Sequence, residues 1–337
     1  MERKVIIDNG DMVINYFDKE YHNDRYDIFF NTKTGFEVLT KDPFYTDLPT
    51  MLDIGIMGHC INNCSFCYQG NENQPHMLLE DYKSIIDQVK HHASQVALGG
   101  RGNPEDHPHF EEIVKYTRES GMVPNYTTAG NNVDDKIVGL TKEYCGAVAV
   151  SMYREHFTFK ALKAFIDGGA KTNIHWIYNK YSHFNIIRLL KGDVIWNDLD
   201  KLNAIILLLF KPIGNAKNME HKIPTINQIK ELSKEITSFN GSFKIGMDSC
   251  MVNKTKRWMK LNRQQEMSVD SCESGRMSVY ISPDMKMVPC SFLNSNIHGV
   301  SLYDKTISDV WNHSPSFKKI RKILGKNPYT CPAMINE

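Results

Sequence analysis

Six short apolar runs, each followed by a segment with helical spacing, fill the middle of this chain and constrain its fold more than any other feature. Met51 to Met57, Gln95 to Gly99, Val123 to Thr127, Ala147 to Met152, Thr172 to Tyr178 and Ala204 to Phe210 each read as a mostly buried strand. Between them, Leu79, Tyr82, Ile86 and Val89 recur at spacings of three and four, as do Phe110, Ile113, Val114 and Thr117. Further helices are predicted over Val133 to Tyr144, Thr158 to Ile166, His183 to Leu190 and Thr225 to Phe239. Repeated strand-helix units with short links make a parallel sheet covered by helices, so the expectation is an α/β fold with a partial, open (β/α)6 barrel.

The flanks differ. Asp27 to Phe30 and Phe36 to Leu39 predict a hairpin, which sets residues 1–48 apart as an N-terminal extension before a barrel over 49–241. From 242 to 337 the chain predicts one more strand, Phe243 to Asp248, and then a hairpin. Its arms are Met277 to Ile281 and Lys286 to Pro289, turning at Ser282, Pro283 and Asp284. This segment is expected to be a small α+β, cysteine-rich domain.

Composition excludes several classes. The 337 residues carry 40 Lys plus Arg against 39 Asp plus Glu, a formal charge of 40 − 39 = +1. A grossly basic nucleic-acid coat is therefore not expected, and no RNA-binding module is present in the pattern. The longest wholly apolar run, Ala204 to Phe210, falls well short of the roughly 20 residues a bilayer span needs, so no membrane association is expected. Met1 to Asn9 lacks an apolar stretch of signal-peptide length, which predicts a cytoplasmic protein. Eight cysteines in a long chain without an export signal then point to metal or redox chemistry rather than to disulfides.

Three of them, Cys60, Cys64 and Cys67, fall on one short loop directly after the first barrel strand. Thiolates at such short, unequal intervals suit three corners of an iron-sulfur cube, which leaves the fourth iron open to a substrate or cofactor. Structural zinc is the alternative, although only Cys64 and Cys67 have the usual two-residue spacing.

With Phe66 just before the third cysteine, the triplet resembles the cluster motif of the radical S-adenosylmethionine (SAM) superfamily. The resemblance implies a reduced 4Fe-4S cluster that cleaves SAM to methionine and a 5′-deoxyadenosyl radical, with a flavodoxin- or ferredoxin-type electron donor. It also implies adenine contacts from the backbone around Phe66 and Tyr68. Gly99-Gly100-Arg101-Gly102-Asn103-Pro104 is similar to the family's Gly-Gly-Glu-Pro segment, with Arg-Gly-Asn where a Glu is expected and Glu105 as a substitute. Thr128-Ala129-Gly130 resembles a further family turn, and Ser151 occupies the place of a ribose contact. Strand alternation puts Asn173 and His175 on one face, toward the lumen, as SAM or substrate contacts or as hydrogen-bonded core residues. His107 and His109 read as loop and cap residues, and Cys145 as a buried filler at the opposite rim.

Cys250, Cys272, Cys290 and Cys331 remain, the number that a fully ligated cluster needs. The segment from Cys272 through Cys290, with Ile307 to Asn312 and Phe317 to Arg321, resembles the SPASM extension of peptide-modifying radical SAM enzymes. The shorter twitch form is suggested because the sequence given ends soon after Cys331. Met285 stands where the family's hairpin has glycine. The resemblance implies one auxiliary 4Fe-4S cluster and a ribosomally made peptide as substrate. Unligated buried cysteines, a small-molecule or side-chain dehydrogenase, and a non-catalytic iron-sulfur or zinc protein stay open as alternatives. Two basic stretches, Lys254 to Arg263 and Lys318 to Lys326, read as solvated faces that could also attract an acidic leader peptide.

Overall fold

The computed structural model describes residues 3–5, 15–33, 35, 37–41, 43–70, 72–152, 155–193, 201–241, 243–262, 266 and 269–335. Thr34 and Phe36 of the expected first hairpin and Arg263 of the first basic stretch lie outside the described residues.

Two small antiparallel sheets open the chain. Strands β1 (Arg3–Val5) and β2 (Asn15–Phe17) pair with each other. β3 (Lys19–His22), β4 (Asp27–Phe30) and β5 (Glu37–Leu39) form the second sheet. The expected hairpin is β4 and β5, and β3 escaped the sequence because Lys-Glu-Tyr-His carries no apolar alternation.

The main sheet begins with β6 (Met51–Met57), β7 (Gln95–Gly100), β8 (Val123–Thr128) and β9 (Ala147–Ser151). It continues through β10 (Thr172–Tyr178), β11 (Ala204–Leu209) and β12 (Lys244–Met247). These strands pair in parallel in chain order, as strand-helix repeats require. The crossover helices are α1 (Leu79–Val89), α2 (Phe110–Glu119), α3 (Asp135–Tyr144), α4 (Glu155–Asp167), α5 (Ser182–Leu190) and α6 (Ile226–Ser238). Their starts follow from local chemistry: Asp134 accepts from the Ile137 amide, and Thr225 with Gln228 closes a reciprocal capping box. Leu52, Ile54 and Ile56 of β6 pack outward against Tyr82, Ile85, Ile86 and Val89 of α1, and all seven are buried.

The C-terminal segment does not build a separate sheet. Strand β13 (Ser278–Ile281) pairs in parallel with β6, and β14 (Lys286–Val288) and β15 (Val300–Ser301) extend the same sheet antiparallel. The order is β12-β11-β10-β9-β8-β7-β6-β13-β14-β15, an open, mostly parallel sheet. The hairpin turn places Met285 at φ +59, the left-handed region where glycine is expected, and its side chain is buried in the core. Short helices α7 (Ser249–Thr255) and α8 (Ser295–His298) flank this region, followed by α9 (Ile307–His313) and α10 (Pro315–Lys326).

Trp311 of α9 is fully buried and donates from Nε1 to the Thr46 carbonyl at 2.7 Å. Arg321, read from the sequence as part of a solvated basic face, turns inward instead. Its Nε donates to Gly275 O at 2.6 Å and its Nη1 to Trp311 O at 2.8 Å, which fixes α10 to the hairpin.

Candidate functional site

The C-terminal end of β6 runs straight into the cysteine triplet. Gln74 N donates to Gly58 O at 3.0 Å, Met77 N donates to Ile56 O at 3.0 Å, and Gly58 N donates to His76 Nδ1 at 3.1 Å, so the loop is closed at its neck. A Cβ on Gly58 would lie 2.1 Å from Gln74 O, so only glycine fits there. Within the loop, Asn63 is left-handed at φ +43, Asn62 N donates to Cys60 Sγ at 3.4 Å and Cys67 N donates to Cys64 O at 3.1 Å.

Two other strand ends clamp the loop from outside. Asn62 and Asn131, which follows β8, exchange amide hydrogen bonds at 3.2 and 2.9 Å. Asn215, which follows β11, donates from Nδ2 to Cys64 O and from its backbone to Cys67 O. Cys60 is exposed while Cys64 and Cys67 are half-buried. Burial raises the Cys67 thiol, and the charges of Cys64 and Cys60 on the same loop push the same way. None of the eight cysteines forms a disulfide. Among the described residues no three His, Cys, Asp or Glu side chains converge on one point as a single-ion cage does. Three thiols at short, unequal intervals on one loop suit the separate corners of a larger group such as an iron-sulfur cube.

The segment after β7 packs directly beneath this loop. Gly100 has φ +110, and a Cβ on it would lie 2.5 Å from Met57 O. A Cβ on Gly99 would meet Asp53 Oδ1 at 3.9 Å. Asn103, at the substituted position, is buried with both ends in use: Oδ1 accepts from Ala129 N at 2.8 Å and Nδ2 donates to Asp106 at 3.1 Å. Glu105 is buried too, accepts at Oε1 from Thr128 Oγ1, and leaves Oε2 with no partner. Burial pushes its carboxyl up to about 7. Arg101 pairs through Nη2 with Glu72 at 3.5 Å, while its buried Nε and Nη1 find no acceptor.

A polar group links the triplet to the C-terminal hairpin, and the sequence reading overlooked it. Asp53, on the lumen face of β6, is pushed up to about 7 by burial, with an opposing hydrogen bond from Ser291. Ser291 also bonds the Tyr68 hydroxyl, and the Tyr68 ring lies 4.6 Å from that of Phe292. Tyr280 OH donates to Gln69 Oε1 at 3.4 Å. The available signal was Asp53 itself, a charge on the inward period of an otherwise apolar strand.

The remaining expected contacts divide. Phe66 is half-buried on the cysteine loop. Ser151, at the end of β9, is the register partner of His175 in the middle of β10, and His175 Nδ1 bonds Thr127 Oγ1 at 3.2 Å. Burial lowers His175 to about 4, so it is neutral at pH 7. Asn173 accepts from Asn203 Nδ2 at 2.7 Å and lines a cavity of about 310 Å³ with Gln95, Asn125 and His175, toward the end where the strands begin. The structure therefore sets Asn173 apart from the cysteine loop. His107 donates from Nε2 to Met77 O at 3.0 Å, and His109 is the N-terminal cap residue of α2. Burial pushes Cys145, at the end of α3, up to about 12.

The second cysteine set assembles from four elements: α7 (Cys250), the loop before β13 (Cys272), the end of β14 (Cys290) and the C-terminal segment (Cys331). Cys250 and Cys331 share a hydrogen bond that raises the first thiol and lowers the second. Burial pushes Cys272 up to about 12 and Cys290 up to about 11, with each other and Cys250 in electrostatic reach. Cys250 is thus in reach of the other three, and four thiols brought together from separate elements are a donor set that a fully ligated cluster fits.

Neither a family profile nor a curated relative matches the chain. Solved structures do. Streptococcus suis SuiB bound to S-adenosylmethionine superposes with a TM-score of 0.65 at 19% identity over 82% of this chain and 68% of that one. SuiB bound to its precursor peptide SuiA gives 0.66 at 18% over 82% and 67%. Native anSMEcpe with bound AdoMet and the Kp18Cys peptide gives 0.61 at 13% over 83% and 84%. The chain therefore has the fold that its resemblance to the radical SAM enzymes implied, a partial barrel extended by a C-terminal hairpin. At these identities the likeness is one of fold.

Proposed function

We propose that the protein is a radical SAM enzyme, with Cys60, Cys64 and Cys67 holding the SAM-binding 4Fe-4S cluster and Cys250, Cys272, Cys290 and Cys331 holding one auxiliary cluster. The observation that carries this is the placement of the first three thiols together on one clamped loop at the C-terminal end of β6, where barrels of this kind keep their chemistry. When bound, the cluster and SAM together supply one-electron reductive cleavage to a hydrogen-abstracting 5′-deoxyadenosyl radical. The chain's own part is to bind, orient and shelter. Phe66 and Tyr68 on the loop, Gly99 and Gly100 after β7, and Ser151, Asn173 and His175 on β9 and β10 are the candidate SAM contacts. Asp53, protonated or ionised near neutral pH, can hold a proton between the two cysteine sets.

The substrate class that fits best is a ribosomally made peptide, modified by crosslinking, epimerisation or oxidation. Support comes from the shared fold with SuiB and anSMEcpe, each of which has been solved with a peptide. A flavodoxin- or ferredoxin-type donor would supply the electron. Among the described residues no helix is long and apolar enough to cross a membrane, and a cytoplasmic setting is proposed.

The test is anaerobic reconstitution with iron and sulfide, reduction, and assay of 5′-deoxyadenosine from SAM. Replacing any one of Cys60, Cys64 and Cys67 with Ala should abolish the product. A triple-Ala variant that still cleaves SAM would end the reading.

A further inference from the structure

Lys211 follows the apolar strand β11 and is only 4% exposed, yet its Nζ has no oxygen or nitrogen acceptor within reach. An ammonium removed from water without such a partner is costly, so something else must hold it there. Its surroundings answer. Burial works against its charge, but Cys250, Asp248 and Cys331 outweigh that and keep it cationic. Cys272 and Cys290 also feel its field. The Phe292 ring, two residues beyond Cys290, lies 3.4 Å from Nζ on its remaining side. One buried cation is thus shared by all four cysteines of the second set.

We propose that Lys211 sets the reduction potential of the auxiliary cluster, by placing a fixed positive charge against its ligand sulfurs. The inference rests on reading the second cysteine set as a cluster site. A cluster bound by four thiolates carries net negative charge that increases on reduction, and net charge and hydrogen bonding at sulfur are what tune such centres. A cation in a water-poor pocket stabilises the reduced form more than the oxidised one, which raises the potential. The auxiliary centre is thereby made an electron acceptor relative to an otherwise identical site without the lysine. Asp248, which caps α7 through the Met251 amide at 2.6 Å, partly offsets that charge.

The experiment uses the full chain, reconstituted in three forms: wild type, Lys211→Met and Lys211→Arg. Iron content and redox-poised EPR are read with no substrate present. Wild type and both variants should hold about eight irons, as two four-iron clusters require. Lys211→Met should lower the auxiliary cluster's reduced-to-oxidised ratio at fixed ambient potential by tenfold or more, equivalent to about 59 mV for a one-electron couple. Lys211→Arg should keep the ratio close to wild type, and the first cluster's signal should not move in either variant. Loss of the auxiliary iron in Lys211→Met but not in Lys211→Arg would make the charge a requirement for binding rather than a setter of potential, and overturns the proposal. Full iron with an unmoved ratio in Lys211→Met overturns the role of Lys211 and leaves the cluster assignment standing. A wild type with only about four irons overturns the cluster assignment, and this inference with it.

Discussion

Asn215 donates from its side-chain amide to the Cys64 carbonyl at 3.0 Å, across 151 residues of chain, and from its backbone N–H to the Cys67 carbonyl at 2.9 Å. The loop that bears the triplet is thus held by the far side of the barrel, and β6 and β11 are brought into one site by backbone contacts. Replacing Asn215 with Ala removes the side-chain bond and leaves the backbone one. A hydrogen bond of this kind contributes about 1 kcal/mol, so iron should leave the first cluster roughly fivefold faster under chelator challenge. Release at the wild-type rate would mean that the clamp does not support the cluster.

Arg101 presents the opposite situation, a side chain whose donors exceed its acceptors. Its Nε and Nη1 are buried without partners, and only Nη2 meets Glu72. A structural arginine would not be left so, because each orphaned donor costs stability that a ligand acceptor recovers. Arg101→Met should therefore leave the ligand-free protein's thermal midpoint unchanged or raise it by a few degrees. It should also weaken the stabilisation that SAM, or a substrate bearing a carboxylate, confers. A midpoint several degrees below wild type without ligand would make Arg101 a structural residue.

Much of the fold was legible because its strands are apolar and its helices amphipathic. The expected Met51 to Met57 and Thr172 to Tyr178 are the strands observed. The triplet was legible because all three cysteines sit on one loop. What escaped has a common physical reason, since it depends on contacts between distant segments. Nothing in Met277 to Ile281 announces that this strand pairs with β6, and nothing in a basic run shows that Arg321 turns inward while its neighbours face solvent. Lys211 ends an apolar run and reads locally as a solvated strand terminus. Its burial is visible only once Cys250, Cys290 and Cys331 are gathered around it. Asn173 and His175 share one face of β10, as alternation implies, and line one cavity, the first bonded to Asn203 and the second level with Ser151.

Glu105 gives the molecule a pH dependence. Its carboxyl is raised to about 7 by burial, against 4.5 for the ordinary group, so the folded protein holds a proton that the unfolded chain releases. Stability from this source is full below the unfolded value and is lost as pH climbs through the folded one, a penalty on the order of 3 kcal/mol above it. Glu105→Gln keeps an oxygen acceptor for Thr128 Oγ1 and cannot ionise. Its thermal midpoint relative to wild type should rise between pH 5 and pH 8. A difference that stays constant across that range would show that Glu105 does not titrate there.

Gly214 tests the clamp by a route that involves no hydrogen bond. It has φ +63, and a Cβ on it would lie 2.4 Å from Tyr68 O and 2.6 Å from Cys67 O, both backbone atoms that cannot rotate aside. Gly121 has a similar φ of +76 with nothing within 4 Å of its Cβ position. Both Gly→Ala changes carry the left-handed penalty of about 1–2 kcal/mol, but only Gly214→Ala drives the cysteine loop away from the β11 end. Gly121→Ala should lower the thermal midpoint while keeping iron content and SAM cleavage at wild-type levels. Gly214→Ala should lose iron from the first cluster and most of the 5′-deoxyadenosine yield, and more of both than Asn215→Ala, because it displaces the loop where the other change only loosens it. Equal iron retention in the two glycine variants would place the cost in backbone strain alone and remove the close contact with Cys67 and Tyr68 from the account of how this loop is held.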